Sequence, residues 1–326
     1  MVNSPADSPP PSSPYSSYPA PDGTRLAYRV IDGDGDGDGS TGTGTHADTD
    51  TDTDESAAPL VCLPGGPLHD SRYLGDLGGL ATVAGRRLLL LDFRGSGGSE
   101  VPEDSASYRC DRLVEDVEAL RVHLGLPALD LLAHCAGANV AVQYAARHPE
   151  RVTRLTFITP STRAVGIAIS DETRREGAEL RKDEAWFPEA SAALRAVAAG
   201  ETANVDFAAL TPFFWGRWDD AARAHTAESQ ARNTNRDSGP AFAAEGAFDP
   251  EATRAALAEL TVPVGLLAGE YDLNSPPRST EEFAELFPAA ETTYVLQPGA
   301  GHFPWVDGAK AFATAAASLL RRPTGN

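Results

Sequence analysis

Cys135 is the residue with most chemistry to offer, because of what surrounds it. It lies in Leu129-Asp-Leu-Leu-Ala133-His134-Cys135-Ala136-Gly137, an apolar run that passes through small residues straight into a helical stretch. A strand turning sharply into a helix holds its central side chain above the sheet, open to attack, and small neighbours let the strained backbone pass. The start of the following helix favours negative charge, so the thiol is expected to ionise below its ordinary value of about 8.5. An isolated cysteine is most often an inert buried residue, and it is the strand-to-helix setting that marks this one as a nucleophile. Asp272 follows the apolar Leu266-Leu-Ala-Gly269, and His302 sits in the glycine-bracketed Gly299-Ala-Gly301-His302. In that chain order His302 is expected to take the Cys135 proton, while Asp272 fixes the imidazole tautomer and stabilises its charged form.

Attack on a carbonyl also needs donors for the developing oxyanion, and backbone amides serve best. Leu63-Pro64-Gly65-Gly66-Pro67 follows the apolar Pro59–Leu63, which nominates the amides of Gly65 and Gly66, together with that of Ala136. Asp92-Phe-Arg94-Gly95-Ser-Gly97-Gly-Ser99 follows the next strand and reads as a structural turn in which Asp92 and Arg94 tie loops together. The other histidines show no clean metal-ligand spacing, so no metal and no other cofactor is expected.

These residues need a frame, and its elements are legible. Arg87–Asp92 is a continuous apolar run, as in a central parallel strand. Arg112–Leu124 places Leu113, Val117, Leu120 and Leu124 on one helical face. Leu129–Ala133, Val152–Ile158, Val262–Ala268 and Thr293–Leu296 read as further strands, with helices over Gly137–Arg147 and Gly308–Arg321. Alternation of strand and helix predicts an α/β fold with a mostly parallel sheet flanked by helices. From residue 161 to 249 the strand signal disappears and the chain is Ala-rich and helical, with Trp186, Phe187, Phe213, Phe214, Trp215 and Trp218 interspersed. That stretch is expected to be a helical lid inserted into a core made of 19–160 and 250–326, with an apolar substrate pocket beneath it.

Arg25–Ile31 alternates and reads as an edge strand, beginning at the Asp22-Gly23-Thr24 turn. Residues 1–18, rich in Pro and Ser, are expected to be a disordered leader without the apolar core of a secretory signal. Residues 32–58 form an acidic low-complexity insert carrying nine carboxylates and no Lys or Arg. The Asp32, Asp34, Asp36, Gly37, Asp38 spacing imitates the start of a calcium loop, but position twelve is Thr43 instead of Glu, so a solvated linker is the better reading. The insert holds nearly half of the net charge of −20. A chain so acidic repels phosphate backbones, which argues against nucleic-acid binding. With 326 residues, 41% hydrophobic, there is ample core but no apolar run long enough to cross a membrane. Three cysteines give no disulfide framework and fit a reducing compartment, so a cytoplasmic protein is expected.

Over roughly residues 20–30 and 59–321 the chain resembles the prolyl aminopeptidase (proline iminopeptidase) branch of the α/β-hydrolases. Pro64-Gly-Gly-Pro67 matches the family's His-Gly-Gly-Pro; Asp92–Ser99, the Cys135 elbow, Gly-Glu-Tyr-Asp272 and Gly-Ala-Gly-His302 complete the likeness. The resemblance implies an α/β-hydrolase fold and release of N-terminal residues, with lid acids binding the substrate's free α-amino group. Trp215-Gly-Arg-Trp218-Asp219 is similar to the family's Trp-x-x-Trp-Glu, which implies that role for Asp219, and Glu245-Gly-Ala-Phe248 implies Glu245 as its partner. Trp215 and Trp218 would accompany them in binding substrate. The departures are Pro64 for His, Asp219 for Glu, and Cys135 where the family has Ser.

A cysteine forms a thioester, which amines attack in preference to water more readily than they attack an oxygen ester. Hydrolysis of an ester, thioester or N-terminal amide is therefore the leading expectation. Acyl transfer or cyclisation by an amine is the alternative on the same scaffold, and a weak binder or a Ser-to-Cys variant a further one. The expected partner is a small molecule or short peptide.

Overall fold

The computed structural model describes residues 15–33, 58–235 and 238–321. Most of the acidic insert and residues 1–14 of the expected leader lie outside the described residues. Eight strands form one sheet: β1 (Ser16–Pro19), β2 (Arg25–Ile31), β3 (Leu60–Leu63), β4 (Leu88–Asp92), β5 (Leu129–His134), β6 (Val152–Ile158), β7 (Val264–Gly269) and β8 (Thr292–Gln297). Their spatial order is β1-β2-β4-β3-β5-β6-β7-β8. Among the described residues, only the β1/β2 and β2/β4 pairings are antiparallel.

Two expectations at this edge need correcting. Residues 16–18, assigned to the leader, belong to strand β1, and β2 is therefore covered rather than an edge. The reason is Tyr18, whose ring is buried and whose hydroxyl donates to the Asp116 carbonyl at 3.0 Å. One buried aromatic supplies the apolar payload that a Pro- and Ser-rich composition conceals.

Helices cover both faces of the sheet. The first layer holds α2 (Cys110–His123) and α3 (Gly137–Arg147), with α8 (Pro250–Ala258) and α9 (Pro277–Ala284), and α1 (Leu80–Ala84) and α11 (Ala309–Leu320) lie opposite. Strand alternation sorts the core: Val61, Leu63 and Leu131 face Leu113, Val117 and Phe283, while Leu60, Cys62 and Leu132 face Phe312 and Ala316. Helix α3, rich in Gly, Ala and Val, runs beneath the site and is buried along nearly its whole length. Between β6 and β7 the chain leaves the sheet and forms α4 (Asp171–Glu179), α5 (Phe187–Ala198), α6 (Asp220–Arg232) and α7 (Ser238–Phe242), besides α8. A short α10 (Pro304–Asp307) follows β8. Among the described residues no helix is long and apolar enough to cross a membrane.

Candidate active site

Strand β5 ends at His134 and α3 begins at Gly137, so the turn between them is Cys135-Ala136. Cys135 is held at φ 49°, a left-handed conformation that side chains other than glycine adopt rarely. Its carbonyl accepts from Ala138 and Ser161, which locks the turn from two sides. Only glycine fits at two neighbouring places. A Cβ on Gly137 would lie 2.5 Å from the Leu63 carbonyl oxygen, and one on Gly65 2.7 Å from Cys135 Cβ. The outcome is a half-buried Cys135, whereas Cys62 and Cys110 are buried and have their thiols pushed up by burial.

His302 and Asp272 come together beside it. Asp272 Oδ1 accepts from the amides of Asn274 and Ser275 at 2.8 and 3.0 Å, and its Oδ2 accepts from His302 Nδ1 at 2.7 Å. That arrangement leaves Nε2 on the side of Cys135, and the two groups shift each other's proton affinity. Burial by itself would lower the proton affinity of His302, but the charges of Asp272 and Cys135 overcome it and raise the pKa to about 10. Burial raises the Cys135 thiol, yet His302 and the Gly66 amide outweigh it and bring it below its ordinary value. Each group thus favours the charged form of the other.

Of the three amides expected to receive an oxyanion, that of Gly66 is close enough to Cys135 to favour its charged form. Ala136 is the residue past the nucleophile, where α3 starts. Gly65 is a correction: its N–H already donates to the Tyr73 hydroxyl at 2.6 Å. Asp92 and Arg94 hold loops as expected. Asp92 accepts from the Ser71 and Gly98 amides, and Arg94 pairs with Asp22 and with buried Asp116.

Behind His302 lies a second polar network, for which the sequence carries no motif. The Tyr73 hydroxyl is 2.6 Å from His134 Nδ1, and His134 Nε2 is 3.0 Å from the His302 carbonyl. A carbonyl only accepts, so His134 carries its proton on Nε2 and receives the Tyr73 O–H on Nδ1. Thr159 Oγ1 donates to the same carbonyl at 3.0 Å. Burial and the nearby charge of His302 keep His134 far below its ordinary pKa. The glycine strap after β3, the turn after β5 and the loop after β8 are thereby joined. Asn274 is the other residue without a sequence signal: its Nδ2 is 3.1 Å from His302 Nε2 and 3.7 Å from Cys135 Sγ.

The residues between β6 and β7 do not converge in the same way. Trp215 is 1% exposed and stacks on Phe303 at 4.6 Å, so it is a packing residue here rather than a surface for substrate. Trp218 is half-buried with the Arg223 guanidinium over its ring. Asp219 caps α6 by accepting from the Ala222 amide at 3.1 Å, and lies 3.5 Å from Arg217. Glu245 is exposed. Helix α6 nevertheless grips the glycine strap. His225 Nε2 donates to the Tyr73 carbonyl at 2.8 Å, and the Asn233 amide, just past the helix, donates to His69 Nε2 at 2.6 Å.

Comparison with known proteins agrees with this geometry. The family model described as alpha/beta hydrolase fold matches residues 58–309. A proline iminopeptidase of Lactobacillus helveticus is 38% identical over 99 residues, 30% of this chain and 34% of that protein. One of Lactobacillus delbrueckii subsp. lactis is 27% identical over 182 residues, 55% of this chain and 56% of that one. The matched stretches thus span about a third to just over half the length of these relatives. Among solved structures, the proline iminopeptidase of Mycobacterium smegmatis superposes with a TM-score of 0.69 at 21% identity, covering 94% of this chain and 97% of that one. A thermophilic esterase from Thermogutta terrifontis superposes with 0.62 at 20% identity, covering 95% and 98%.

Proposed function

The chain belongs to the alpha/beta hydrolase fold family, and from that premise we propose that it is a hydrolase working through an acyl-Cys135 intermediate. Its substrate is an ester, a thioester or an N-terminal amide, the last by likeness to the proline iminopeptidases. The observation that carries the reading is the half-buried Cys135 in a strand-to-helix turn against a histidine that Asp272 orients at 2.7 Å. Cys135 Sγ attacks the substrate carbonyl, and the amides of Gly66 and Ala136 receive the oxyanion. As the tetrahedral intermediate collapses, His302 Nε2–H protonates the leaving group and the thioester remains. The imidazole, now neutral on Nε2, takes a proton from water as the water attacks the thioester. Cys135 departs as thiolate, and Asp272 holds the tautomer throughout. Asp219 or Glu245 of the insertion recognises the free α-amino group of an N-terminal amide, beside Trp218.

A thioester also invites attack by an amine, so acyl transfer is the second reading that a cysteine in this position favours. The experiment is intact-mass measurement after brief exposure to an activated acyl ester, with Cys135→Ala alongside. An adduct of one acyl group that Cys135→Ala lacks is the expected result. Its decay in water means hydrolysis, and decay accelerated by added amine means transfer. An adduct that persists in Cys135→Ala, or none on the folded wild type, overturns the assignment.

A further inference from the structure

Asn274 stands at the mouth of the site, two residues beyond Asp272, and nothing so far requires its side chain. The backbone amide is accounted for by Asp272 Oδ1 at 2.8 Å, and the residue is exposed, so its carboxamide packs no core. Yet the carboxamide nitrogen lies 3.1 Å from His302 Nε2 and 3.7 Å from Cys135 Sγ. The amide orientation follows from the chemistry: an oxygen in that place would face the negative sulfur, whereas N–H donates to it.

We propose that Asn274 is a catalytic residue of this site, its carboxamide donating an N–H to the Cys135 sulfur beside the His302 imidazole. The proposal rests on the reading of Cys135 as the nucleophile. A donor stabilises the proton-free form of whatever accepts from it, so Asn274 favours thiolate over thiol and helps keep the nucleophile charged before substrate arrives. Asp272 then organises both arms of the site, His302 through Oδ2 and the Asn274 backbone through Oδ1. The other groups that face Cys135 are His302, Asp272 and, from the strap after β3, Tyr73. All three are retained in the variants below.

The test is the pH dependence of Cys135 alkylation by iodoacetamide, followed by intact mass, in wild type, Asn274→Ala and Asn274→Asp. Cys62 and Cys110 are buried and serve as internal controls. Loss of one donor to a thiolate is expected to raise the midpoint by about one pH unit, so alkylation below the midpoint slows about tenfold in Asn274→Ala. Asn274→Asp keeps the shape but sets a carboxylate beside the sulfur, and a larger upward shift is expected. Midpoints that coincide in all three proteins, with Cys135 alkylated normally, overturn the role of Asn274 and leave the nucleophile assignment standing. A wild-type Cys135 that alkylates no faster than Cys62 and Cys110 overturns the assignment itself.

Discussion

His302 divides two regions that share a residue type and differ in everything else. In front of it, Asp272 and Cys135 place a carboxylate and a cysteine sulfur around an imidazole whose pKa rises to about 10. Behind it, His134 lies with its ring centroid 4.8 Å from that of His302, among the Tyr73 hydroxyl, the His302 carbonyl and Thr159, and is held far below its ordinary value. Burial acts on both rings in the same direction, against the charged form. What separates them is partner charge: a buried imidazole becomes a proton carrier only where a carboxylate faces it, and otherwise acts as a rigid neutral bridge. In the proposed mechanism the front region carries out the chemistry, and the rear region holds three loops in register for it.

The largest effect that would break this contrast is Asp272→Asn. It preserves the shape but removes the charge that distinguishes His302 from His134, and a loss of order 10⁴ in turnover is expected from comparable triads. The Cys135 alkylation midpoint should rise with it, since imidazolium no longer supports the thiolate. A loss smaller than about tenfold in a folded variant would mean that partner charge is not what sets the front region apart. The pH profile sharpens the same point. A folded-state pKa raised from 6.5 to about 10 contributes stability that is complete below 6.5 and lost as pH rises through about 10. The proton lost there is the one an amine leaving group needs. Turnover of an N-terminal amide should therefore fall about tenfold per pH unit above that value, while acylation by an activated ester, whose leaving group needs no proton, should hold. Parallel profiles for the two substrates would remove His302 from the role of acid.

The front region was largely legible in the sequence and the rear region was not, for a physical reason. Cys135, Asp272 and His302 each follow a strand in a loop marked by glycines or by a helix start, and local backbone demands leave a signature in residue type. The β3–β7 assignments rested on apolar runs and agree to within a residue or two, because those strands are buried on both faces. Tyr73 and His134 are 61 residues apart and meet only through tertiary packing, so no spacing announces them. Asn274 looks like an ordinary turn former between Asp272 and Pro276. Gly65 shows the same limit from the other side. The glycine pair after β3 was identified, but which of its amides is free depends on a tyrosine hydroxyl eight residues on. Trp215 reads as a pocket aromatic in the sequence and is packing in the structure, since Phe303, from a distant loop, covers it.

The smallest expected effect tests the rear region directly. Tyr73→Phe removes one hydroxyl and leaves the ring, so the aromatic contacts to His134 and Trp305 persist. The Gly65 amide then loses its acceptor and His134 Nδ1 its donor, at about 1–3 kcal/mol for a buried group left unpaired. Thermal stability should fall by a corresponding few degrees. Turnover should fall about tenfold as the strap bearing Gly66 loosens and the oxyanion donors lose their placement. The Cys135 alkylation midpoint should shift far less than in Asp272→Asn, because no charge has been added or removed near the sulfur and only the Gly66 donor is loosened. That combination separates a positioning network from a titrating one. If the midpoint moved as far as in Asp272→Asn, the Tyr73–His134 pair would be part of the proton chemistry, and the division at His302 would be drawn in the wrong place.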